Sequence, residues 1–90
     1  MFYKVLYKKE AKKFIKKNKI YGIKFMKAFD EISKDKNKIF EYDIKKYIHK
    51  DYYDIFRMRI GDYRAIFRII DTEIVILVFD IDSRGEIYKK

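Results

Sequence analysis

The chain has no cysteine, no proline, three glycines and a single histidine among its 90 residues. Without cysteine there can be no disulfide and no thiolate metal site, and a cytoplasmic location is the expectation. No stretch rich in proline, glycine or serine divides the sequence, and no repeat is visible, so one domain spanning 1–90 is expected. Long hydrophobic runs are also missing. The longest, Ile74 to Phe79, is far too short to cross a bilayer. The opening Met1-Phe2-Tyr3-Lys4 lacks the apolar core of a signal peptide, with charges at Lys4, Lys8 and Lys9. No membrane partner is expected. There is no glycine-rich phosphate loop. His49 stands in the charged stretch His49-Lys50-Asp51 and reads as a surface residue rather than a general base. Asp80 and Asp82 are too few to specify a metal, and their simpler role is salt bridging to arginines. No cofactor and no metal are expected.

What is present is positive charge and aromatic bulk. The net charge is +9, from 23 basic and 14 acidic residues, and 19% of residues are aromatic. Such a balance suits nucleic acid, an anionic membrane or an acidic protein, and it also serves plain solubility. The distribution separates these readings. Every lysine except Lys89 and Lys90 lies at or before position 50, and every arginine lies after it. Lysine is a hydrated point charge suited to exposed helices. Arginine offers a planar fork that grips phosphate through two parallel hydrogen bonds.

The apolar spacing predicts a strand over 2–7, a helix over 8–17 with Ala11, Phe14 and Ile15 on one face, and a second helix over 21–33 striped by Phe25, Phe29 and Ile32. Asn18 separates the two helices. Residues 34–50 show no clean period and read as loop and turn. Strands are expected over 53–60, 63–70 and 74–81, with a two-residue turn at Gly61-Asp62 and another at Asp71-Thr72. The fold class is therefore α+β: a helical hairpin packed on one face of a small, mainly antiparallel sheet.

The Gly61-Asp62 turn fixes the register of its hairpin. It puts Phe56, Met58, Ile60, Tyr63, Ala65, Phe67 and Ile69 on one face, under the helices. Arg57, Arg59, Arg64 and Arg68 share the other face with Ile55 and Ile66. Arg59 then stands directly opposite Arg64. Like charges across a hairpin cost a few tenths to about 1 kcal/mol, a cost that a bound anion reverses. The competing reading is a solvated face whose arginine stems cover Ile55 and Ile66, with Asp80 a neighbour of Arg64 if the second turn is one residue longer. Convergence of four arginines without a lysine favours a polyanion, with RNA first.

The segment Arg57-Met58-Arg59-Ile60-Gly61-Asp62-Tyr63-Arg64-Ala65-Ile66-Phe67, followed by Arg84-Gly85-Glu86-Ile87-Tyr88, resembles RelE toxins of the RelE/ParE toxin–antitoxin superfamily. The strand at Tyr3–Tyr7 and the Lys8-Lys9-Glu10-Ala11 helix start agree, so the resemblance covers essentially the whole chain. It implies the small curved sheet of microbial-ribonuclease-like RelE folds. It implies a metal-independent endoribonuclease that cuts mRNA in the ribosomal A site through attack of the RNA 2′-hydroxyl, and that is restrained by a RelB-like antitoxin. Arg64, Arg84 and Tyr88 would be the catalytic residues. Arg57, Arg59, Arg68 and Lys50 would bind RNA. Some members have a second basic residue where this chain has Ile55. The C-terminal histidine of some relatives is replaced by the Asp82-Ser83 region, which leaves the general base unidentified. ParE-like members act on DNA gyrase without a nuclease site, and a non-catalytic RNA-binding module is a further alternative.

Overall fold

A computed structural model describes residues 2–83. The elements run β1 (Lys4–Tyr7), α1 (Lys9–Lys17), α2 (Lys19–Lys34), a 3-10 helix (Lys36–Glu41), β2 (Asp43–Lys46), β3 (Ile55–Ile60), β4 (Tyr63–Ile70) and β5 (Val75–Ser83). The five strands form one sheet in the order β1-β5-β4-β3-β2. β1 lies parallel to β5, and the other neighbours are antiparallel. The architecture is the expected α+β hairpin-on-sheet.

Phe25, Ala28, Phe29 and Ile32 recur at helical spacing and are buried, as are Ala11 and Phe14 of α1. They meet Met58 of β3, Ala65 and Phe67 of β4, and Val78 and Ile81 of β5. Phe29 and Phe67 pack edge to face with ring centroids 5.0 Å apart, and Phe14 meets Tyr63 at 5.0 Å. Gly22 lets the two helices close: a Cβ there would sit 3.0 Å from the Ile15 Cα.

The β3–β4 register is the expected one, with Ile60 opposite Tyr63, Arg59 opposite Arg64 and Ile55 opposite Arg68. Gly61 has φ of 61°, the left-handed conformation that a tight hairpin turn needs and that glycine adopts without strain.

Two expectations are corrected. Residues 34–50 are not all loop. Asp35 accepts a hydrogen bond from the Asn37 amide and starts the 3-10 helix, and β2 then pairs with β3, Asp43 against Arg59 and Ile44 against Met58. The turn after β4 is also longer than Asp71-Thr72. Pairing ends at Ile70↔Val75, and four residues, 71–74, make the connection. A bulge between Ile66 and Phe67 then shifts the register again, so that Arg64 faces Asp82 and Ile66 faces Asp80.

Candidate nucleic-acid interface

The helices cover one side of the sheet only. Alternation sends Arg57 and Arg59 of β3, and Arg64 and Arg68 of β4, to the open side, so all four expected strand arginines do share one face. Lys50 lies on the exposed 47–54 segment that joins β2 to β3. Arg84 and Tyr88 lie outside the described residues.

The face is not a bare cationic surface. Asp43 of β2, on the strand missing from the sequence reading, reaches both β3 arginines: its carboxylate is 3.0 Å from Arg59 Nε and 3.5 Å from Arg57 Nη2. The Arg59–Arg64 pair is therefore flanked by carboxylates, Asp43 on one side and Asp82 across from Arg64 on the other. The like-charge cost inferred from the hairpin alone is reduced accordingly. Arg68 donates to both oxygens of Asp54, at 2.9 Å from Nε and 3.1 Å from Nη2. Its guanidinium also lies 4.3 Å from the Tyr52 ring centroid. The Asp54 hydrogen bond holds the Arg68 pKa above its ordinary value.

Arg57 differs from the rest. It is buried, at 9% exposure, beside Ile55 at 3%. Its Nη1 is buried and makes no hydrogen bond among the described residues. A buried donor without an acceptor costs about 1–3 kcal/mol, so this nitrogen is a defined demand for an incoming oxygen. Arg64, half-buried, follows Tyr63 on the neighbouring strand. The two guanidinium groups offer forked donors from adjacent strands, the arrangement that suits one phosphate.

The 47–54 segment folds back over this side. The Tyr47 amide donates to the Ile55 carbonyl at 2.8 Å, and the Ile69 amide donates to the Asp54 backbone carbonyl at 3.2 Å. It brings Tyr47, His49 and Tyr52 to the edge of a cleft of about 280 Å³ floored by Ile55 and Ile66. His49 is exposed, as expected, but it borders the arginine face. Nothing in its own neighbourhood of the sequence signals that placement, which depends on where β2 ends. Among the described residues, no cluster of histidine and carboxylate side chains could hold a metal. No helix there is long and apolar enough to cross a membrane.

Comparison with known proteins agrees with this architecture. Residues 5–88 match the family model described as ParE toxin of type II toxin–antitoxin system, parDE. A chain of the archaeal RelE–RelB complex from Pyrococcus horikoshii OT3 is 25% identical, with a TM-score of 0.78 over 96% of this chain and 99% of that one. In the RelB–RelE antitoxin–toxin complex from Methanococcus jannaschii the identity is 23% and the TM-score 0.70, over 93% and 95% of the two chains. The isolated E. coli RelE toxin is 17% identical, with a TM-score of 0.55 over 97% and 92%. No curated protein matches the sequence. The family match spans nearly the whole chain and the fold is the RelE fold, so the chain belongs to the ParE toxin family of the RelE/ParE superfamily and is a toxin of that type of toxin–antitoxin system.

Proposed function

We propose that this toxin is an endoribonuclease that cleaves mRNA on the ribosome, at the A site, and is held in check by a RelB-like antitoxin. The observation that carries the reading is the pair Arg57 and Arg64. One is a buried guanidinium whose Nη1 has no acceptor among the described residues, and the other stands on the adjacent strand of the open face. A face that only had to be soluble has no use for a buried cation, whereas a phosphate oxygen satisfies it. Asp43 lies closer to Arg59, at 3.0 Å, than to Arg57, at 3.5 Å, and Asp54 holds Arg68 through both oxygens, which suits Arg59 and Arg68 to framing the strand rather than to gripping the scissile phosphate.

RNA supplies its own nucleophile. The 2′-oxygen attacks the adjacent phosphorus, the bond from phosphorus to the 5′-oxygen breaks, and a 2′,3′-cyclic phosphate and a free 5′-hydroxyl result. One proton leaves the 2′-hydroxyl and one reaches the departing 5′-oxygen. Alignment of the 2′-oxygen replaces an external nucleophile. Arg64, with Arg84, stabilises the charge that builds on the phosphorane oxygens. Tyr88 stacks on a base or passes a proton. Arg57, Arg59, Arg68 and Lys50 bind the strand. The antitoxin supplies acidic residues and an amphipathic helix that cover the arginine face.

The test is a translation reaction on defined mRNA, read by primer extension. Ribosome-dependent cuts are expected, and in single-turnover cleavage Arg64→Lys lowers the chemical rate roughly 10²–10³-fold with little change in binding. The matched family is described by ParE, so the same preparation is assayed for gyrase supercoiling. Poisoned gyrase without mRNA cleavage would transfer the chain to that class. RNA binding without cuts and without growth arrest would make it a binding module.

A further inference from the structure

The arginines occupy one side of the sheet. The helical hairpin on the other side carries a different surface. Residues 11–29 hold seven lysines and no carboxylate. Lys12, Lys13, Lys16 and Lys17 of α1 and Lys19, Lys24 and Lys27 of α2 are all exposed. The carboxylates that bracket this stretch, Glu10 and Asp30, reach Lys13 at 3.6 Å and Lys34 at 3.1 Å. Apolar side chains stand in the open among the lysines. Ile20 is 73% exposed, Ile23 64% and Met26 43%. Ile20 and Ile23 lie on α2 opposite Phe25, Phe29 and Ile32, which face the sheet, and Met26 flanks them. A single exposed aliphatic side chain is ordinary. Three at helical spacing inside a field of lysines form one amphipathic patch. Where the two helices join, Lys16, Lys17, Asn18, Lys19, Ile20 and Tyr21 line a cleft of about 450 Å³.

We propose that the hairpin is a docking surface for an anionic lipid bilayer, with Ile20, Ile23 and Met26 entering the headgroup layer and the surrounding lysines meeting lipid phosphates. The inference goes beyond the nuclease reading and does not rest on it. The chemistry of the patch separates three kinds of anionic partner. RNA is gripped by arginine forks and by aromatic rings that stack on bases. The hairpin has no arginine, and an exposed isoleucine offers nothing to a phosphate backbone. Protein interfaces draw on arginine and aromatic residues and are poor in lysine. A bilayer presents diffuse negative charge over an apolar interior, and lysine beside aliphatic side chains is the matching combination. Lysine stems lie along the apolar layer while their ammonium groups stay at the phosphates. The cleft at the hairpin turn gives one headgroup a seat among Lys16, Lys17 and Lys19. The sequence holds no run able to span a bilayer, and the expectation of no membrane partner followed from that. A helix lying in the headgroup layer needs no such run, only an apolar face with cations beside it. Docking through the hairpin leaves the arginine face, on the far side of the sheet, turned to solution.

The chain has no tryptophan, so Ile23→Trp places a single fluorescent reporter in the patch. Ile48→Trp places one outside it, at a residue 95% exposed on the 47–54 segment. The whole chain is sedimented with vesicles of phosphatidylcholine alone and with vesicles of equal parts phosphatidylcholine and phosphatidylglycerol. Binding to the anionic vesicles only is expected, with a blue shift in the Ile23→Trp emission and none in Ile48→Trp. Ile20→Ser and Ile23→Ser together should weaken binding about tenfold, by loss of inserted aliphatic surface. Lys16→Ala should weaken it about fivefold, the worth of one basic residue at an anionic surface. At about 0.5 M salt more lipid is needed, but the blue shift at saturation persists because insertion is apolar. Binding with an unmoved Ile23→Trp spectrum, or unweakened binding of the double serine variant, would reduce the patch to a field of lysines and overturn the docking site. A blue shift in Ile48→Trp instead would put the lipid against the other side of the sheet and overturn it too. Two further results would hand the stripe to another partner. Poly(U) binding weakened by the double serine variant, with vesicle binding unaffected, would assign it to RNA. Burial of Ile23→Trp in an antitoxin complex, with no response to vesicles, would assign it to protein.

Discussion

The helical hairpin and the open face of the sheet both carry positive charge, and they carry it in opposite ways. Every lysine of α1 and α2 is exposed, and the ion pairs there, Glu10–Lys13 at 3.6 Å and Asp30–Lys34 at 3.1 Å, are surface contacts within one helix. Such pairs are worth little, about 0–1 kcal/mol. On the sheet, Arg57 is buried and Arg64 and Arg68 are half-buried, and Asp43 and Asp54 reach across from neighbouring segments to fix guanidinium orientation. A hydrated lysine contributes charge without direction. A guanidinium held in a fork contributes direction, and its charge is largely balanced at home. The net charge of +9 therefore describes the helices better than it describes the site.

The largest expected effect comes from removing the carboxylate that serves two arginines. Asp43→Asn leaves the buried Arg57 cation without its partner. A fully buried pair broken on one side costs about 3–5 kcal/mol, and with Asp43 at 36% exposure a loss of about 2 kcal/mol is expected in urea unfolding. The same variant frees two guanidinium groups for phosphate. Its affinity for single-stranded RNA should rise, and the slope of log K against log salt should steepen by up to about 1.4, two contacts at 0.7 each. Lost stability with unchanged RNA affinity would mean that Arg57 and Arg59 serve only the fold. On the helices, Lys16→Ala should change stability by less than about 0.5 kcal/mol.

Much of this contrast was legible in the sequence, and the part that was not has a physical reason. Two-residue periodicity around Gly61-Asp62 defines the β3–β4 register residue by residue, because a tight turn permits no slippage. Phe25, Phe29 and Ile32 likewise announce the buried face of α2. β2 is four residues long and puts only Ile44 against the core, with Lys45 and Lys46 exposed, so it has no pattern to read. It exists because β3 offers it an edge. Missing β2 hid Asp43, and without Asp43 the arginines look freer than they are. The bulge was equally silent: Val78-Phe79-Asp80-Ile81 reads as unbroken strand, and only the burial of both outer residues reveals the extra one. The position of His49 depends on where β2 ends. Arg84 and Tyr88 are outside the described residues, so their roles rest on the family resemblance.

An intermediate effect sharpens the contrast between the two sides of the sheet through its tyrosines. Burial, with a smaller contribution from the Asp30 charge, pushes the Tyr7 phenol up to about 12. Burial and the hydrogen bond to Glu31 push Tyr42 up to about 12 as well. Both lie on the helix side, against the core. A folded pKa above the unfolded value of about 10 favours the protonated form, so the contribution to stability is full below pH 10 and is lost as pH rises toward 12. Ultraviolet titration should show Tyr7 and Tyr42 ionising near pH 12, together with unfolding, with Tyr3, which the Asp71 hydrogen bond raises by less, ahead of them. Tyr42→Phe should remove one of the two ionisations near pH 12, and Tyr7→Phe should narrow the alkaline loss of stability. An ionisation near pH 12 that survives both substitutions would contradict the assignment.

The smallest expected effect tests whether the lysines take part at all. α1 and α2 lie on the side of the sheet away from the arginine face, and a helix layer packed on a sheet adds about 10 Å of thickness. The Debye length at physiological salt is about 8 Å, so the field of Lys12 and Lys16 is largely screened before it reaches a strand lying on that face. A short RNA that fits the open face should therefore bind Lys12→Ala and Lys16→Ala with the salt slope of the unsubstituted chain. A programmed ribosome surrounds its ligand with phosphates, and there each substitution should flatten the slope by about 0.7 and lower the association rate, leaving the single-turnover cleavage rate unchanged. Lys24 sharpens the point, because its Nζ lies 4.8 Å from the Tyr21 ring centroid. It is oriented as the arginines are, and Lys24→Ala should add a stability loss of about 0.5 kcal/mol that Lys16→Ala lacks. Equal slope changes on the short RNA and on the ribosome would show that RNA wraps around the helices, and the division between a lysine field and an arginine grip would then fail.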